Sequence, residues 1–285
     1  MALRIGLYLR LIRIDKPIGY MLLMWPSLIG LWVAAGGWPG WQLFLIFTIG
    51  SVLMHSAGCA VNDFADRDFD RHVKRTQDRP LTTGKIAPWE AIMVALVLSF
   101  VSFLLVLQLN ILTLQLSVIG LLLAATYPWF KRFFSMPQAY LGIAFGFSYP
   151  MAFAAVSGSV SSIAWLFMLG NLFWTVAYDT EYAMVDKDDD IRIGMRTSAI
   201  TFGQFDVLAV MLCFALMLLV FFLAGLHAGL GYGFAAGLFA VALCVVFQYR
   251  LIRTRDRMKC LLAFRLNNLV GLALFGGILL DSALH

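Results

Sequence analysis

Charge is scarce in this sequence: 13% of its 285 residues are Asp, Glu, Lys or Arg, against about a quarter in soluble globular proteins. That shortage excludes an ordinary water-soluble domain. Cysteine is scarce too, with Cys59, Cys213, Cys244 and Cys260 scattered singly. No metal-ligand spacing such as CxxC and no disulfide framework follows from them, and single Cys residues in apolar helices are mostly small packing groups. The ten-residue alternation of an outer-membrane barrel is missing. The opening MALRIGLYLRLIRIDKP has no small-residue cleavage site and reads as a basic cytoplasmic lead-in rather than a removed signal peptide.

Apolar sequence is abundant, at 61%. A bilayer core about 30 Å thick takes about 20 apolar residues per helix. Nine such stretches occur, at roughly 17–36, 42–62, 88–107, 111–130, 138–156, 163–183, 206–225, 229–249 and 263–281. The expected fold class is an all-α, polytopic membrane protein.

Basic residues are lacking on one side of that arrangement. All 21 Lys and Arg fall in the N-terminal lead-in, in the segments after the second, fourth, sixth and eighth stretches or, for Arg265, at the very start of the ninth. The remaining loops (GGWPG, QLN, SGSVSS, HAGLG) are short and uncharged. The positive-inside rule therefore places the N-terminus and the basic loops in the cytoplasm. Topology accounts for the net charge of +5, so no nucleic-acid partner is implied.

The acids need a separate account, because Asp and Glu contribute little to orientation. All 16 except Asp281 lie on the cytoplasmic side, and most fall in two runs. One is Asn62-Asp63-Phe64-Ala65-Asp66-Arg67-Asp68-Phe69-Asp70, the other Tyr178-Asp179-Thr180-Glu181-Tyr182-Ala183-Met184-Val185-Asp186-Lys187-Asp188-Asp189-Asp190. Asn62, Asp66 and Asp70 recur at i, i+4 and i+8; Asp179, Asp186 and Asp190 fall at i, i+7 and i+11. Each set therefore occupies one helical face. Asp63, Asp68, Asp188 and Asp189 lie off those faces and read as solvated or capping groups.

Like charges four residues apart destabilise an isolated helix, so such a face calls for a cation. Carboxylates and an amide carbonyl suit Mg²⁺, which binds through a few carboxylates plus substrate phosphates. Two faces can hold a diphosphate between them. The basic stretch after the first run offers Lys74, Arg75 and Arg79 as phosphate clamps; attraction to anionic membrane lipid explains them as well. Higher in the bilayer, Ser51, His55, Gly58 and Cys59 continue the Asn62 face, and His55 is a candidate cavity residue or an interhelical hydrogen-bonding group. Trp174, Tyr178 and Tyr182 line one side of the sixth stretch, where π faces can stabilise a carbocation or simply pack.

At these residues the sequence resembles the UbiA superfamily of intramembrane prenyltransferases. Its two motifs, NDxxDxxxD and DxxxD, match Asn62 to Asp70 and Asp186 to Asp190. Longer stretches, among them IDKPIGYMLLMWPSLIGLW, NDFADRDFDRHVKRTQDRPL, YPWFKRF and FRLNNLVGLALFGGILLD, look like the 4-hydroxybenzoate polyprenyltransferase branch. Lys187 before the DDD run and Tyr149 before Pro150 depart from the pattern. The resemblance implies one domain over 1–285, with nine transmembrane helices around a central cavity open sideways to lipid. It implies Mg²⁺ dependence, a polyprenyl diphosphate and 4-hydroxybenzoate as substrates, and a place in ubiquinone synthesis at a bacterial inner membrane. By position, Asn62, Asp66, Asp70, Asp186 and Asp190 become the magnesium-diphosphate residues. Arg132 becomes a candidate for binding the acceptor carboxylate. Other aromatic acceptors remain open. An ion-coupled transporter is the rival from another class, and a membrane phosphatidyltransferase is disfavoured by the missing DGxxAR signature.

Overall fold

The computed structural model describes residues 2–130 and 132–284, with side chains from residue 4 onward. Lys131, counted above among the cytoplasmic cations, lies outside the described residues. The order is α1 (Ala2–Leu11), α2 (Pro17–Ala35), α3 (Trp41–Asp66), α4 (Pro88–Val106), α5 (Ile111–Phe130), α6 (Pro137–Gly146), α7 (Ser148–Ser157), α8 (Ser162–Ile193), α9 (Ser198–Phe202), α10 (Asp206–His227), α11 (Tyr232–Ile252) and α12 (Arg257–Leu284). Among the described residues there are no strands.

Local chemistry sets the helix ends. Pro17 starts α2, where its missing N–H costs nothing. Gly36 stops the same helix in a left-handed conformation (φ 63°), a backbone that favours glycine. Gly194 ends α8 in the same way (φ 72°), with the Met195 N–H returning to the Asp190 carbonyl.

Eight segments among the described residues are long and apolar enough to cross a membrane: α2, α3, α4, α5, α6–α7, α9–α10, α11 and α12. The stretch expected at 163–183 is not one of them. It lies within α8, a 32-residue helix whose polar and acidic residues dilute its apolar content. α8 packs against α6, α10 and α12, and buries Asn171, Thr175, Thr180 and Glu181.

The core groups Trp174, Phe167, Phe214, Phe221 and Met217 with apolar residues of α2, α11 and α12. A smaller cluster joins Leu11 to Ala57, Ala60, Leu81 and Ile86, so the basic lead-in is itself a docked helix. Outward-facing positions carry Leu96, Val97, Phe100, Leu122, Leu216 and Phe222, the reverse of a water-soluble surface and suited to lipid. Asp281, the one acid expected away from the side that holds the cations, is buried and accepts from the Gly231 and Gly233 backbone N–H groups at 3.0 Å. It caps the start of α11, which accounts for its isolation.

Candidate active site

A cavity of about 810 Å³ opens between α2–α8 and α12. Asn62, Asp66 and Asp70 border it from one side, and Asp179, Asp186 and Asp190 from the other. Within α8 the three aspartates share one face, as their spacing requires. The first set departs from expectation. α3 ends at Asp66, and Asp70 reaches the cavity from a 3₁₀ turn, Asp70–His72. Tertiary pairing outcompetes helix continuation there. Arg79 Nη1 lies 2.7 Å from Asp70 Oδ2 and 2.9 Å from Asp63 Oδ1, and Thr76 Oγ1 donates to the Asp70 carbonyl at 3.0 Å, folding the loop back. Burial pushes the Asp70 carboxyl above the ordinary carboxylate range; Arg79 opposes the shift, and Asp63 and Asp66 add to it.

Arg75 joins the two acidic runs. Its Nε and Nη2 donate to Asp186 Oδ2 at 2.8 and 2.6 Å, and its guanidinium stands 4.5 Å from the centroid of Tyr182. Arg75, Arg79, Tyr178 and Tyr182 all border the cavity. So do His55, Ser51, Gly58 and Cys59, whereas Trp174 is fully buried behind the wall.

Lys74 and Arg132 do not border the cavity. Lys74 approaches Asp189. Arg132 Nη2 donates to the Ala65 carbonyl at 2.9 Å, and its guanidinium lies 5.8 Å from the Phe69 ring centroid. It braces the end of α3. Tyr149 is likewise absent from the cavity; it is buried and stacks on Phe167 at 5.5 Å. Lys187 pairs with the buried Asp206 at 2.8 Å.

Two off-face acids are not solvated. Asp63 is 2% exposed and receives Arg13 as well as Arg79. Asp189 is 4% exposed and pairs with Arg257 at 2.8 Å. Asp68, paired with Arg67 at 3.7 Å and largely exposed, fits its expectation. The cavity also takes in Arg13, Lys16, Tyr127, Phe264 and Arg265, which spacing alone did not single out. Phe264 is the third aromatic of a wall, with ring centroids 6.2 Å from Tyr178 and 4.6 Å from Tyr182. The only sequence hint was its place in the stretch FRLNN.

The donor set is all oxygen. Among the described residues no group of three His, Cys, Asp or Glu side chains is gathered closely enough to hold a metal ion by itself. Oxygen donors are the ligands of Mg²⁺, which keeps waters and takes one or two carboxylates together with substrate phosphate. The carboxylate sets on opposite sides of one cavity, with arginines between them, fit such an ion.

Residues 23–269 match the UbiA prenyltransferase family. The chain belongs to that family. It is 61% identical over 278 residues to the 4-hydroxybenzoate octaprenyltransferase of Burkholderia lata, covering 98% of this chain and 97% of that protein. The protein of the same name from Cupriavidus necator is 61% identical over 274 residues, covering 96% of each. Among solved structures, the apo UbiA homologue of Aeropyrum pernix K1 superposes with a TM-score of 0.82 at 25% identity, covering 92% of this chain and 97% of that one. A UbiA homologue of Archaeoglobus fulgidus bound to GPP and Mg²⁺ shares the fold, with a TM-score of 0.70 at 16% identity over 96% of this chain and 99% of that one. Like these UbiA proteins, this one is an all-helical, multi-pass membrane protein, and its family activity is prenyl transfer.

Proposed function

We propose that this UbiA-family enzyme moves a polyprenyl chain from its diphosphate to the ring carbon ortho to the hydroxyl of 4-hydroxybenzoate. The observation that carries the reading is the meeting of the Asn62/Asp66/Asp70 and Asp179/Asp186/Asp190 sets across one apolar cavity. The substrate pair is supported by the names of relatives about 60% identical over nearly the full length.

Asn62, Asp66, Asp70, Asp186 and Asp190 would hold Mg²⁺. When bound, the ion supplies positive charge to the departing diphosphate. Arg75 and Arg79, now on Asp186 and Asp70, stand where they can turn to phosphate oxygens. The apolar walls keep water from the allylic cation left behind, and Tyr178 and Tyr182 present π faces to it. Lys16 and Arg265 border the cavity and can receive the acceptor carboxylate, which needs a cation in a low-dielectric site. Arg132 acts through α3, whose last turn carries Asp66. Lys74 sits behind the clamp.

The single domain over 1–285 lies in the inner membrane in this reading. Its N-terminus and acidic motifs face the cytoplasm, as the 21 one-sided cations require. The polyprenyl tail extends into membrane lipid, and ubiquinone synthesis is the pathway served. The test is direct: purified membranes, Mg²⁺, 4-hydroxybenzoate and a polyprenyl diphosphate, with mass spectrometry of the lipid extract. A prenylated hydroxybenzoate is expected. Its absence, with another aromatic acceptor prenylated instead, would sink the acceptor assignment.

A further inference from the structure

Behind the aromatic wall lies a buried polar chain that the transfer step itself does not use. Glu181 on α8 is 0% exposed, in the middle of the second acidic run, yet it faces away from the cavity. Its Oε2 accepts from Asn267 Nδ2 at 2.9 Å, while Oε1 is buried without a partner among the described residues. Asn267, on α12 and also 0% exposed, accepts from Trp174 Nε1 at 2.9 Å and donates to the Ala263 carbonyl at 3.2 Å. Three polar side chains thus tie α8 to α12 in a region where an unmade hydrogen bond costs most.

Those two helices carry the wall. Tyr178 and Tyr182 come from α8, one turn apart and beside Glu181; Phe264 comes from α12, three residues before Asn267. The Trp174 ring meets Tyr178 edge-on at 5.9 Å, and Tyr178 and Tyr182 meet Phe264 at 6.2 and 4.6 Å. A slip of α8 against α12 would part the rings. We infer that Glu181 and Asn267 are positioning residues that hold the Tyr178–Tyr182–Phe264 wall closed. They thereby decide whether the allylic cation is captured by the aromatic ring or by water.

The chemistry balances in both branches. The C–O bond to the diphosphate breaks with its electron pair on oxygen. In one branch a ring π pair forms the new C–C bond, and the ring proton is lost to restore aromaticity. In the other, a water oxygen forms a C–O bond and loses its proton, giving polyprenol. A cation close to π faces and shielded from water favours the first.

This inference rests on the proposed transfer reaction, and the experiment separates the two. Purified enzyme in detergent is given Mg²⁺, polyprenyl diphosphate and 4-hydroxybenzoate, and the ratio of polyprenol to prenylated acceptor is measured by mass spectrometry. The ratio counts only turnovers, so it is independent of the fraction of each variant that folds. Asn267→Leu and Glu181→Leu should raise it by about two- to thirtyfold, the range a lost cation–π contact spans. Glu181→Gln keeps the acceptor oxygen and the shape and should leave it as in the wild type. Phe264→Leu spares the polar chain but removes the ring and should raise the ratio equally, testing the wall apart from the residues that hold it. An unchanged ratio in Phe264→Leu, or in both polar variants when they turn over, overturns the inference. A wild type that releases diphosphate without prenylating the acceptor overturns the proposed reaction instead.

Discussion

Arg75 Nη2 lies 2.6 Å from Asp186 Oδ2, so the loop that follows the first acidic run is tied to the helix that carries the second. The two residues are 111 positions apart. The contact neutralises a carboxylate that the diphosphate reading assigns to Mg²⁺. On the proposed function, substrate entry would exchange partners, freeing Asp186 to hold the metal and Arg75 to meet phosphate oxygens.

Arg75→Ala should raise the Michaelis constant for the prenyl diphosphate by about tenfold or more, the worth of one charge-assisted hydrogen bond. Arg75→Lys should recover only part of that, because an ammonium lacks the planar fork. Thermal stability should fall as well, since Asp186 is buried and is left without its guanidinium partner. Initial rates at varied diphosphate, with melting of the same preparations, check this. A normal constant for Arg75→Ala would leave the exchange without support.

Asp66→Asn and Asp186→Asn should each nearly abolish turnover in protein that still folds, through loss of several kcal/mol of transition-state stabilisation. A chelator should silence the wild type and added Mg²⁺ restore it. Asp63→Asn separates metal work from structural work. Asp63 is buried against Arg13 and Arg79, and removing its charge takes the carboxylate from Arg13 and leaves Arg79 with Asp70 alone, at a cost of about 3–5 kcal/mol. Its chief effect should be a lowered melting temperature, with the metal dependence of the surviving activity unchanged. A fully stable Asp63→Asn protein would contradict this account.

Asp281→Ala removes the group that receives the first N–H bonds of α11. Loss of a helix cap costs about 1–2 kcal/mol. Asp281 lies on the opposite side from the acidic motifs, so the melting temperature in detergent should fall while the Michaelis constants for both substrates hold. A shift in either constant would mean that the α11–α12 junction reaches the site.

Single cysteines at Arg75, Asp188 and Gly158, each in a background lacking the four natural ones, test the orientation. An impermeant maleimide applied to intact spheroplasts should label position 158 and spare 75 and 188. The opposite pattern would invert the topology drawn from the cations.

The sequence by itself determined that the chain is helical and membrane-embedded, which side carries the cations, and which helices bring the two acidic runs together. These follow from quantities that add along a chain: apolar length, charge asymmetry and helical periodicity. The cap at Asp281, the burial of Asp63 and Asp189, the retreat of Arg132 to Ala65 and the addition of Phe264 to the wall were decided only by the tertiary structure. Each depends on a partner distant in sequence, and inside a low-dielectric bundle such a partner can outweigh local preference. Asp70 shows the same competition within one motif. Its spacing places it on the α3 face, but Arg79 and Thr76 hold it in a separate turn, because pairing a buried carboxylate is worth more than one further turn of helix.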